Sequence, residues 1–289
     1  MSAAYLGFQT AQWLANVLPK PMVFGLADCL ADLQWRRSGR ARRSVQANLS
    51  LVLGADIDEY APSVRNVFRN FARYLVEFLT MHRVHNPQVS WEGTEHLQET
   101  LRRHRRAIAL TAHIGNWELA AVLVRRTGVQ VRAIALPHAQ PNINRLFNLQ
   151  RARCRLDVIP TGPAVVRRGL HGLQQEGLLG ILGDWALAGE GIRVSLCGRA
   201  VRFPRGPALL SLRSQAPMLP IFLIREGVWK FRLCIEPPMY PQRSSRKADA
   251  MHALIQAYAS TLERYIQRYP EQWLLFHPVS VSSDTGDHP

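Results

Sequence analysis

The apolar positions of the first 35 residues recur at helical spacing: Leu6, Trp13, Leu14, Val17 and Leu18, then Met22, Leu26, Leu30 and Leu33, with Asp28 and Asp32 on the opposite face. Pro19 and Pro21 interrupt this run, which predicts two amphipathic helices. Gln9, Thr10, Gln12 and Asn16 leave the segment short of the ~20 predominantly apolar residues that a spanning helix needs. It also lacks the charged start and small-residue cleavage site of a signal peptide. A further amphipathic helix is predicted over 63–81, with Val67, Phe71, Tyr74, Leu75 and Phe78 on one face.

Beyond residue 90 short apolar runs alternate with helical stretches. WEGTEHLQETLRRHRR reads as a short strand, a turn at Gly93 and a helix. Residues 107–112 form an apolar run suited to a strand covered on both faces, and Gly115 with the N-cap Asn116 turns the chain into a helix over 117–126. A strand over 129–136, a helix begun at Asn/Pro, a further strand, a helix over 163–176 and a buried strand over 178–182 follow. Residues 192–203 read as a hairpin turning at Gly198, Gly206 and Pro207 begin a helix, 218–224 and 228–236 are strands, and 248–269 is a helix. This alternation predicts an α/β fold, a central, largely parallel or mixed sheet flanked by helices, preceded by an N-terminal helical membrane-associated segment. The expected divisions are 1–90, 91–278 and a polar, disordered tail over 279–289.

The charge narrows the partners. Lys and Arg number 36 against 21 Asp and Glu, a net charge of +15, and only Lys20, Lys230 and Lys247 are lysines. Nucleic acid, anionic lipid and phosphorylated substrates all suit such a balance, and guanidinium groups fork onto phosphates. Arg36, Arg37, Arg40, Arg42 and Arg43 follow directly on the amphipathic helices, which favours an anionic membrane surface with Trp13 and Trp35 at headgroup depth. A helical hairpin packed on the domain explains the same pattern. Cys29, Cys154, Cys197 and Cys234 have no paired spacing, which fits a reducing cytoplasmic setting better than zinc or disulfides. His82 and His85 form an HxxH without a third ligand and read as surface residues, so neither metal nor cofactor is expected. Walker A, GxSxG and GxGxxG strings are absent.

The candidate chemistry lies in AIALTAHIGNWEL, 107–119. His113 falls at the carboxyl end of a buried strand, where open α/β sheets place their reacting groups. On one continuous helix His113 and Glu118 would be about 140° apart, but with His113 on the turn the Glu118 carboxylate reaches back to one ring nitrogen. The other nitrogen then deprotonates a nucleophile supplied by the substrate. A core histidine and a first-turn glutamate favoured by the helix dipole account for the same spacing.

His113-Ile-Gly-Asn-Trp-Glu118 resembles the His-x4-Asp/Glu motif of glycerolipid-type acyltransferases, and TAHIGNWEL is similar to its form in the bacterial lipid A lauroyl/myristoyl acyltransferases and their phosphatidylinositol-mannoside acyltransferase relatives. LPKPM, RRSGRARRSVQANLSLVLG, VRNVFRNFARYLVEFL, FPRGPALLSLRSQAPMLPIFLIREG and PEQWLLFHP resemble further family blocks in order. The resemblance implies His113 as general base and Glu118 as its orienter. Arg151, with Arg153 beside it, matches the family's arginine for a phosphate or acyl-carrier contact, and Asp184 matches an acid usually within a DQ or DRD string. Asn116, Asp184 and Gly206 join the two arginines as candidate substrate contacts, Gly206 through helix amides that suit an oxyanion. Arg155 stands where the family commonly has Gly, Trp185 departs from the acidic string, and Leu196 and Cys197 replace hairpin aromatics.

The implied activity is transfer of a fatty acyl chain from acyl carrier protein or coenzyme A, as co-substrate, to a glycolipid hydroxyl such as that of a lipid A precursor, at the cytoplasmic face of the bacterial inner membrane in lipopolysaccharide synthesis. A phosphatidylinositol mannoside or another glycolipid is the alternative acceptor. A basic nucleic-acid-binding protein is the alternative class, resting on net charge alone.

Overall fold

A computed structural model describes residues 3–83, 87–186, 191–242 and 246–279. His85 lies outside the described residues. Four helices come first, α1 (Ala3–Val17), α2 (Lys20–Arg37), α3 (Gly39–Leu53) and α4 (Pro62–Thr80). The α/β part then runs β1 (Gln88–Glu92), α5 (Thr94–His104), β2 (Arg106–Thr111), α6 (Trp117–Arg126), β3 (Val131–Ala135), α7 (Pro141–Arg153), β4 (Asp157–Pro160), α8 (Val165–Leu173) and β5 (Gly177–Leu182). It continues through a hairpin of β6 (Ile192–Leu196) and β7 (Arg199–Phe203), α9 (Gly206–Ser214), β8 (Met218–Gly227), β9 (Lys230–Ile235) and α10 (Lys247–Arg268).

Seven strands form one mixed sheet in the order β1-β9-β8-β2-β5-β3-β4. Strands β8, β2, β5, β3 and β4 run parallel, β9 returns antiparallel to β8, and β1 lies parallel to β9 at the edge. Side chains alternate across β2. Ala107 faces a core shared with α2–α7, while Ile108 and Leu110 face a second core built by α8, α9, α10 and the hairpin. Residues of 1–90 and 91–278 thus pack in common cores.

Pro19, extended at ψ 141°, separates α1 from α2, as the proline interruption predicts. The acidic face of α2 turns toward α4. Arg73 Nε donates to Asp28 at 2.9 Å, and Arg65 and Arg69 both fork onto Asp32, whose carboxyl their hydrogen bonds hold well below its usual pKa. The apolar face is consequently outward: Leu6, Trp13, Val17, Met22, Leu26, Leu30 and Leu33 are all exposed, Trp13 at 63%. Among the described residues no helix is long and apolar enough to cross a membrane.

Trp35 packs edge-on against Tyr60 at 6.0 Å, because Arg42 draws the α2–α3 corner together. Arg42 is buried and donates to the carbonyls of Trp35 (2.7 Å) and Arg36 (2.8 Å), serving the free carbonyls at the end of α2. Val279 falls in the segment expected as a tail. It is buried and its amide donates to Asn48 Oδ1 at 3.0 Å. Residues 280–289 lie outside the described residues.

Candidate active site

Past Thr111 the chain turns through Ala112, His113, Ile114 and Gly115 before α6 begins. Gly115 has φ 60°, and a Cβ there would stand 1.9 Å from the Leu223 carbonyl oxygen, so the turn presses on β8 where no side chain fits. Asn116 Oδ1 accepts from the Leu119 amide at 2.9 Å as the predicted N-cap, and its Nδ2 donates to Glu77 Oε2 at 2.7 Å. Asn116 is fully buried, so its expected substrate contact is corrected to an anchoring role. Glu77 in turn accepts from Arg225 Nε at 2.6 Å and Nη2 at 2.8 Å, both side chains being buried. Glu77→Gln leaves Arg225 a buried charge without its counter-ion, and a loss of about 3–5 kcal/mol in urea-unfolding stability is expected.

The ring of His113 takes its partner from the turn just past β5. His113 Nδ1 lies 2.9 Å from Asp184 Oδ1, and the His113 amide donates to Asp184 Oδ2 at 2.9 Å. Trp273 Nε1 donates to the same Oδ2 at 3.0 Å. A carboxylate only accepts, so Nδ1 carries the proton and Nε2 is left as the basic nitrogen. Asp184 reaches the ring because Gly183 leaves room: a Cβ at 183 would stand 2.7 Å from Leu110 Cδ1 and 2.9 Å from Tyr258 Cε1. Burial works against charge on the imidazole, but the charge and hydrogen bond of Asp184 outweigh it and raise the His113 pKa. Burial likewise opposes ionisation of Asp184, yet His113 and the hydrogen bond from Trp273 bring its pKa below the ordinary value.

The expected Glu118–His113 pair is corrected. The first turn of α6 directs Glu118 toward α7, where Arg151 Nε donates to Oε1 at 3.1 Å and Nη2 bonds the same oxygen. Arg151 also lines the site, but its guanidinium is buried and engaged with Glu118. Asp184, expected at the substrate, is instead the histidine's partner. Arg153 is exposed, bonds Gln150 Oε1 at 3.4 Å and does not line the cavity. Gly206 starts α9, which packs with α8 and α10 on the opposite face of the sheet, and this removes it from the oxyanion position. Trp185 stacks on His277 at 4.9 Å. His82, read as a surface residue, is partly buried, its Nδ1 2.7 Å from Gln150 Nε2.

A cavity of about 560 Å³ opens beside His113, between the sheet and helices α1, α4, α6 and α7. Its walls are mainly apolar, including Phe8, Trp117 and Phe147, with His113, Glu118, Arg151, His138 and the phenol of Tyr74 as its charged or titratable groups. About a quarter of the His113 side chain is exposed, and Trp117 meets its ring edge-on at 5.1 Å. Burial, reinforced by the charge of Arg151, lowers the pKa of His138, a residue that no sequence motif marked. Trp273 belongs to the PEQWLLFHP block. Its segment locks the histidine turn, with Leu274 N donating to His113 O at 2.6 Å and Gly115 N to Gln272 O at 2.9 Å.

A histidine held by a carboxylate at the rim of a mixed α/β sheet, beside an apolar cavity, is an arrangement that can take up a proton next to a hydrocarbon group. The chain belongs to the bacterial lipid A biosynthesis acyltransferase family, which it matches over residues 3–279. It is 26% identical over 290 residues to a phosphatidylinositol mannoside acyltransferase of Mycolicibacterium smegmatis, covering 96% of this chain and 91% of the relative. It is 25% identical over 285 residues to a protein of the same name from Mycobacterium tuberculosis, covering 93% and 86%.

Proposed function

We propose that this acyltransferase moves a fatty acyl chain from a thioester, acyl carrier protein or coenzyme A, directly to a hydroxyl of a glycolipid. The observation that carries the reading is His113, with Nδ1 held by Asp184 and its ring facing the apolar cavity. His113 Nε2 takes the acceptor hydroxyl's proton as the oxygen attacks the thioester carbonyl. The C–S bond then breaks, and the departing sulfur recovers that proton from the imidazolium. The substrates supply the nucleophile, so acyl transfer occurs in a ternary complex without an acyl-enzyme. Arg151 and Glu118 stand as a pair at the cavity wall, where a phosphate of donor or acceptor would compete with Glu118 for the guanidinium. The family description favours a lipid A precursor as acceptor and the mycobacterial relatives favour a phosphatidylinositol mannoside. The test is incubation of the purified chain with each acyl thioester and each glycolipid, followed by mass spectrometry. One new acyl ester on a sugar is expected, and thioester hydrolysis alone, or no reaction with any pair, would overturn the reading.

The outward apolar face of α1 and α2, followed by exposed Arg36, Arg37, Arg40 and Arg43, supports placement in the interface of an anionic membrane, at the cytoplasmic face of the inner membrane. Replacing both Leu26 and Leu30 by Ser removes side chains that insert, and affinity for anionic vesicles is expected to fall about tenfold or more. The unfolding midpoint should be unchanged, because both residues are exposed. Salt-sensitive capture of DNA without vesicle binding would contradict this placement and favour a nucleic-acid partner.

A further inference from the structure

Three strands present their smallest residues to the cavity in one lateral row. Ala109 of β2 is in register with Gly180 of β5, and Gly180 with Ala133 of β3, and all three line the cavity. With strands 4.7–4.9 Å apart the row spans about 10 Å. Leu219 of β8 is in register with Ala109 at one end, and Val158 of β4 with Ala133 at the other. Two residues toward the strand beginnings the matching row is Ala107, Leu178 and Val131, all buried and two of them larger, with Leu178 and Val131 also lining the cavity. His113 lies beyond the other end of these strands. The row and the histidine line the same cavity, so the row is part of the bed of a trough that also holds His113.

Glycine inside a strand costs backbone entropy and gives up a packing contact. Nothing local demands it at 180. Its φ lies outside the left-handed region, and an added Cβ would make ordinary contacts of 3.5 Å with Arg132 O and 3.8 Å with Ala133 Cβ. What a larger side chain would consume is trough.

Building on the acyl-transfer reading, we propose that the row Ala109, Gly180 and Ala133 sets the length of acyl chain that the enzyme accepts, with Gly180 as the determining position. A chain whose thioester sits at His113 lays its distal methylenes over this row. Valine at 180 fills the space, and each methylene turned out of the trough lowers transfer about fourfold, roughly 50-fold for three.

The experiment compares wild type, Gly180→Ala, Gly180→Val and Ala133→Val as full chains, with donors from octanoyl to octadecanoyl. The expected result is a ratio of kcat/KM for hexadecanoyl over decanoyl donor that falls at least about tenfold in Gly180→Val and less in Gly180→Ala. Ala133→Val narrows the same row and is expected to shift the ratio the same way, which keeps the test available should Gly180→Val fail to fold. An unchanged ratio in folded variants would overturn the proposal. Wild type inert with every donor would instead overturn the acyl-transfer reading. The trough is then read by displacement of a fluorescent hexadecanoic acid with fatty acids of graded length. A preference displaced toward shorter acids in the variants supports the row, and identical displacement series in wild type and variants overturn it.

Discussion

Asp184→Asn is expected to lower kcat about 10⁴-fold, the loss that follows when the acid behind a catalytic imidazole becomes an amide and the wrong tautomer results. The fully buried carboxylate of Asp184 accepts three hydrogen bonds, from the His113 ring, the His113 amide and the Trp273 indole. An amide has one accepting oxygen, so its NH₂ must oppose either His113 Nδ1 or both the His113 amide and the Trp273 indole. If it opposes His113 Nδ1, the ring proton moves to Nε2, where the base is required. Steady-state acyl transfer with a melting curve of the same sample reads both consequences. Loss of turnover in a protein that still unfolds cooperatively is the expected outcome, and wild-type turnover would remove Asp184 from the mechanism.

The same pair sets a pH dependence. As the proposed general base, His113 works only when neutral, and Asp184 raises its pKa. The acid limb of kcat/KM is therefore expected to have its midpoint above the ordinary histidine value of about 6.5. Stability runs the opposite way. A raised imidazole pKa gives stabilisation that is complete below the unfolded value and is lost as pH rises through the folded one. The depressed Asp184 pKa gives stabilisation present above its unfolded value and lost as pH falls through the folded one. The pair therefore stabilises most between about pH 4 and 6.5, and urea midpoints of wild type and Asp184→Asn should differ most in that window. A midpoint difference that is flat across pH would contradict the coupling. Glu118→Gln has another signature: it leaves Arg151 buried beside a neutral amide, so lost turnover should come with lost stability.

The fold was legible where one element decides its own pattern. The periodicity of Leu6 to Leu33 marked α1 and α2, the proline pair marked their break, and the apolar run before His113 marked a covered strand. Partners chosen across the sheet were not legible. Asp184 was recognised as an acid at a strand end, but it meets His113 from 71 residues away, whereas Glu118 is close in sequence and faces α7. Gly206 failed as an oxyanion donor because the β6–β7 hairpin passes the chain to the other face before α9 begins, a path that helix propensity does not encode. Arg42 looked like its neighbours in a basic run and differs because it closes the end of α2. In the sequence Gly180 is one residue of a buried strand, and its meaning depends on Ala109 and Ala133 lying beside it.

His113→Ala tests the central claim most directly. It removes the cavity-lining ring whose Nδ1 is held by Asp184 and leaves the Asp184–Trp273 hydrogen bond in place. General-base catalysis contributes about 10² to 10⁴. The account predicts a loss of that order in ester formation from acyl thioester and glycolipid, followed by mass spectrometry on protein shown to be folded by circular dichroism. A folded His113→Ala protein that acylates the glycolipid at the wild-type rate would contradict it.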